Sequence, residues 1–184
     1  MLEPAPRDVR PLRRAEYESL AREGFLEDER VELLDGAIVH MPPPIGAAHD
    51  ATIQRLTQLL VRALYPRAAV RIQSSFAASD DSQPQPDVAV VPPGDYFDAH
   101  PDRAWLIVEV ADSSLRRDRG VKARLYAANG VVEYWVVDLS AGLIEVHTEI
   151  VAGEYARVTP VRRGERATLV AFPDVTLEAR DVLR

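Results

Sequence analysis

Two carboxylates stand in otherwise apolar runs: Asp87 opens DVAVV, which ends at Val91, and Glu109 interrupts WLIVEV, which runs from Trp105 to Val110. A buried carboxylate costs several kcal/mol of desolvation unless it is paired, protonated or bound to a cation. Taken alone, either acid is accounted for by an exposed strand end or by a buried salt bridge with arginine. Taken together, 22 positions apart and each on a short hydrophobic strand, they can bring their oxygens to a common hard cation.

A third residue stands out by its type. Of 22 basic side chains, 21 are arginine, and Lys122 is the one lysine. Lysine is a compact point charge whose pKa moves on burial, whereas arginine stays protonated, so the difference matters where a charge is tightly packed or protons move. Lys122 lies within Arg116, Arg117, Arg119, Lys122 and Arg124, a basic cluster broken by Asp118. Such a cluster reads first as a solvated helix face; beside the two acids, Arg119 and its neighbours become candidates for phosphate contact.

The elements that must position these residues can be read from periodicity. Pro11 to Glu23 has helical spacing and ends before Gly24; VELLDGAIVHM is a hairpin with Asp35-Gly36 as a type I′ turn. MPPPIG is a rigid loop, after which Ile53, Leu56, Leu60 and Leu64 mark the buried face of a helix from His49 to Leu64. AVRIQSSFAAS reads as a strand and DDSQPQP as a loop without regular structure. DVAVV and WLIVEV then read as central strands covered on both faces. A continuous helix from Leu115 to Ala128 stops at Asn129-Gly130, and Val132 to Asp138 forms the next strand. Ser140-Ala-Gly142 turns into Leu143 to His147, and strand signals at Tyr155–Val161 and Thr168–Ala171 precede a last segment, Val175–Leu183. The tail completes the sheet or serves a dimer contact.

With 184 residues, of which 47% are hydrophobic, the chain reads as one α/β domain over 1–184, and it carries no internal repeat. No apolar run is long enough to span a membrane and no secretory leader opens the sequence, so a cytoplasmic protein is expected. The absence of cysteine excludes disulfides, thiol nucleophiles and thiolate zinc sites. A formal charge of −7 argues against nonspecific coating of nucleic acid, whose affinity comes from phosphate neutralisation.

The segments VELLDGAIV, PPPIGAAH, PDVAVV, LIVEVADSS and DRGVKARLYAANGVVEYWVVD, in this order, resemble the Uma-two family of restriction endonucleases, a branch of the PD-(D/E)xK superfamily. The recognisable core spans about 16–150. The resemblance implies a restriction-endonuclease-like fold, a central mixed β-sheet flanked by α-helices. It matches Asp87 to the first metal-binding acid, Glu109 to the second, Glu32 to an acid on the earlier element and Lys122 to the lysine. In the ordinary motif the lysine sits two residues after Glu109, where this chain has Ala111, so the pattern requires it to have moved to the following helix.

The chemistry that the resemblance implies is metal-assisted phosphodiester hydrolysis. Mg²⁺ or Mn²⁺ would be held by Asp87, Glu109 and the Val110 carbonyl, with Lys122 stabilising charge, lowering the pKa of the attacking water, or acting as a base if its own pKa is depressed. Glu32 completes the metal shell, holds a water, or is a surface charge on a hairpin. His49 matches a family histidine and contacts phosphate or orders the site or, alternatively, is a cap or a packed side chain. Tyr126, one helical turn from Lys122, orients the site or packs. Tyr134 and Trp135 read as core aromatics. The expected substrate is DNA, with RNA also open, and restriction-type enzymes suggest a homodimer by analogy. The competing reading is a catalytically inactive nuclease-fold module that binds nucleic acid or protein.

Overall fold

The computed structural model describes residues 10–41, 46–112 and 114–184; most of the MPPPIG loop lies outside them. Helix α1 spans Arg14–Arg22, and the Glu16 carboxylate accepts the Arg13 backbone N–H at 2.8 Å, tying off one of the free amides at its start. Strands β1 (Val31–Leu34) and β2 (Ala37–His40) form the hairpin. Its turn residues both take positive φ, 49° at Asp35 and 75° at Gly36, as a type I′ turn requires. Any Cβ at Gly36 would also lie 2.3 Å from Pro11 Cβ, so the position needs glycine twice over.

Helix α2 (Gly46–Leu64) buries Ile53, Leu56, Leu60 and Leu64. Strands β3 (Ala69–Ile72), β4 (Val88–Val91), β5 (Leu106–Ala111), β6 (Glu133–Asp138), β7 (Leu143–Val151) and β8 (Glu154–Arg162) make one sheet in that order. Only β5 and β6 pair in parallel, which gives the mixed α/β sheet of the expected class. Strand alternation splits the core. Val88, Val90, Leu106, Val108, Val110, Trp135 and Val137 pack with α2, while Ala89, Val91, Ile107, Ala111, Tyr134 and Val136 face the opposite side.

On that opposite side the predicted continuous helix is interrupted. It divides into α3 (Leu115–Arg117), a π-helical turn (Asp118–Lys122) and α4 (Ala123–Ala128). The Tyr134 hydroxyl donates to the Asp118 carbonyl at 3.2 Å, a long-range tie to β6 that local periodicity cannot report. The helix closes with Gly130 at φ 74°, Gly130 N–H on the Ala127 carbonyl and Val131 N–H on that of Tyr126, a Schellman stop.

Two further expectations are corrected. The strand in AVRIQSSFAAS ends at Ile72, because Gln73 turns to φ 44° and Phe76 plunges into the core. The DDSQPQP loop does pair, through the isolated bridges of Gln83 with Leu33 and of Ser82 with Ser79. The tail both extends the sheet, through β7 and β8, and adds β9 (Arg166–Thr168), β10 (Thr176–Glu178) and α5 (Ala179–Val182), whose apolar residues join the core on the α2 side. Among the described residues no helix is long and apolar enough to cross a membrane.

Candidate active site

β4 and β5 pair antiparallel with Val88 opposite Val108, and Asp87 and Glu109 are the residues next to that last pair. By strand parity Glu109 shares its face with Ile107 and Ala111, the face covered by α4. The β4 ladder ends there, and the Asp87 side chain takes its place: its Oδ2 accepts the Val110 backbone N–H at 2.8 Å. The contact of Val110 with Asp87 therefore runs through its amide. His49 at the start of α2 places Nε2 3.4 Å from the same Oδ2, and Nδ1 3.3 Å from Asp50. Hydrogen bonding to Asp87 pushes the imidazole pKa up to about 9 against the opposing effect of burial.

Glu109 is buried, 4% exposed. Its Oε1 accepts Lys122 Nζ at 2.9 Å and the Tyr126 hydroxyl at 2.8 Å, so the π-helical turn and α4 converge on one oxygen. Glu109 Oε2 makes no hydrogen bond among the described residues. Burial raises the Glu109 pKa to about 8; Lys122 opposes the rise, and Asp118, Asp87 and Glu32 add to it.

Lys122 also reaches Glu32 Oε2 at 3.2 Å, which accepts the Gln85 N–H as well. Glu32 is 1% exposed and so is no surface charge. Its Oε1 lacks a hydrogen bond among the described residues, with Arg117 3.8 Å away. Burial would lower the Lys122 pKa, but the fields of Glu109, Glu32 and Asp118 more than offset it and the pKa is raised. Lys122 is accordingly an ammonium, which disfavours its use as a base.

Asp118 belongs to this cluster and was missed by motif reading: it is 2% exposed, accepts Ser114 Oγ at 2.5 Å, and burial raises its pKa. The one signal for it was its place as the single acid in the basic run. Arg119 stands apart. It binds Glu145 through two nitrogens at 2.9 Å and Asp138 at 2.8 Å, an ion-pair set across β6 and β7. Arg117 turns back to the His40 carbonyl at 3.0 Å.

Glu32, Glu109 and Asp118 thus face one ammonium, with Asp87 close to Glu109, a concentration of carboxyl groups in a largely buried region. Among the described residues no group of three or more histidine and acidic side chains forms a ready cage for a metal. Asp87 and Glu109 offer the one or two carboxylates that Mg²⁺ takes while keeping its waters, and Glu109 Oε2 and Glu32 Oε1, neither hydrogen-bonded among the described residues, fit a cation or its hydration shell. The donors are all oxygen, the set a hard cation prefers.

The fold is similar to the crystal structure of "a putative nuclease belonging to DUF820 from Anabaena variabilis ATCC 29413". The two share 16% identity with a TM-score of 0.66, over 87% of this chain and 95% of that one. No curated relative matches the chain. The sequence model of the Uma2 family, described as "Putative restriction endonuclease", matches residues 14–180. From Arg14 to Arg180 the chain carries that family's pattern, and it belongs to the Uma2 family.

Proposed function

We propose that this chain is a Mg²⁺- or Mn²⁺-dependent endonuclease that hydrolyses phosphodiester bonds of DNA. The observation that carries the reading is Glu109 on a buried strand, one oxygen held by Lys122 and Tyr126 and the other without a hydrogen bond among the described residues, next to Val110, whose N–H holds Asp87. Membership of a family described as restriction endonucleases supports a nuclease-like function.

Asp87 and Glu109 are the residues that would hold the ion, with the Val110 carbonyl as a further oxygen. When bound, a divalent ion supplies polarisation of the phosphate and a water of lowered pKa. Asp87 is fixed for this by the Val110 N–H and by His49. Tyr126 and Lys122 fix the rotamer of Glu109 from behind. Lys122 carries a permanent charge in a low-dielectric pocket and stabilises negative charge developing on phosphate. Glu32 and Asp118 keep that ammonium in place and protonated.

The engagement of Lys122 by two carboxylates favours a second reading, a binding module without turnover. Incubation with single- and double-stranded DNA and RNA, with and without Mg²⁺ or Mn²⁺, separates the two. Metal-dependent cleavage that Asp87→Asn and Lys122→Ala lose supports the nuclease; binding without cleavage on every substrate supports the module.

A further inference from the structure

A groove of about 440 Å³ runs between α2 and the end of β3, with Asp50, Gln54 and Gln58 on the helix and Gln73 beyond the strand. Ile53 and Ile72 provide apolar wall, and Ile72 is 44% exposed there. Gln54 and Gln58 lie one helical turn apart on one face, and neither amide makes a hydrogen bond among the described residues.

Gln73 joins this groove to the acidic site. Its backbone N–H donates to the Asp87 carbonyl at 3.0 Å, and its side-chain amide lies 3.5 Å from Asp87 Oδ1. It holds φ 44°, a left-handed conformation unfavourable for a residue with a Cβ, and such strain marks places where the surroundings over-determine a geometry. On the other side of the same carboxylate, His49 connects to Asp50.

No arginine or lysine lines the groove, so it is not built for phosphate. Its apolar wall and amide rim suit a flat group with apolar faces and a polar edge. We propose that the groove seats a nucleobase adjoining the scissile phosphate, with the amides of Gln54, Gln58 and Gln73 reading its edge. An amide offers a donor beside an acceptor, and on the edge that faces the major groove of a duplex adenine alone presents the complementary N6 and N7 pair, so adenine read on that edge is the base selected. This inference rests on the nuclease reading and assigns its base preference.

The test is fluorescence anisotropy with single-stranded oligo-dA, oligo-dC and oligo-dT of equal length, in Ca²⁺, for wild type and the Gln54→Ala/Gln58→Ala double variant. Both positions are exposed, so the fold is kept. The expected result is about tenfold tighter binding of oligo-dA by wild type and a common affinity for all three in the variant. Equal affinities in wild type, or a preference that survives the double substitution, overturns the groove assignment alone. No binding of any oligonucleotide, together with no cleavage of any substrate, overturns the nuclease reading and this one with it.

Discussion

Lys122 Nζ lies 2.9 Å from Glu109 Oε1, thirteen positions away in the chain, and 3.2 Å from Glu32 Oε2 on a different element. One ammonium therefore ties the hairpin, the central strand and the π-helical turn together. Lys122→Ala leaves Glu32 and Glu109 buried without their cation, a loss of about 3–5 kcal/mol. Chemical denaturation measures it, and Mg²⁺ should restore part of the loss by supplying the missing positive charge.

The Tyr126 hydroxyl, 2.8 Å from the same Oε1, donates a hydrogen bond to a buried carboxyl oxygen. Tyr126→Phe keeps the ring in its core contacts and removes that bond alone, so denaturation should show a loss of about 1–1.5 kcal/mol. A change smaller than about 0.5 kcal/mol would show that the ring packs and does not orient Glu109.

Arg119 is committed to Asp138 and Glu145. Arg119→Ala should cost about 1 kcal/mol of stability or less and leave oligonucleotide affinity unchanged at fixed salt. A clear fall in affinity or in its salt dependence would instead return Arg119 to the phosphate contacts.

His147 is buried against Tyr134 and Tyr155, and burial lowers its pKa from the ordinary 6.5, Glu145 opposing. The unfolded chain then binds the proton more readily than the folded one. Stability tied to neutral His147 is complete above 6.5 and is lost as the pH falls through that value towards the lower folded pKa. Denaturation midpoints of wild type should decline over this window relative to His147→Gln; parallel curves would contradict the assignment.

How much of the fold and site was legible in the sequence differs residue by residue. Asp87 and Glu109 announced themselves because a carboxylate in an apolar strand demands a partner, and Lys122 because the chain uses arginine everywhere else. The hairpin followed from Asp35-Gly36, and α2 from Ile53, Leu56, Leu60 and Leu64, since these signals are local. The π-helical turn was hidden, because it accompanies the tie between Tyr134 and the Asp118 carbonyl across the fold. The same holds for Arg119, whose partners Asp138 and Glu145 sit side by side only once β6 and β7 pair. Gln73 was concealed for a different reason: a strained backbone leaves no mark in residue type.

The proposed role of Asp87 and Glu109 in metal-dependent phosphodiester hydrolysis is tested most directly by single-turnover cleavage of DNA across a Mg²⁺ titration, comparing wild type with Asp87→Asn. Asp87 is partly accessible, its side chain 14% exposed, so its amide replacement leaves the core intact. Cleavage should rise with Mg²⁺ in wild type and fall about hundredfold or more in the variant. Cleavage at an unchanged rate in Asp87→Asn, or in wild type without any divalent ion, would contradict that role.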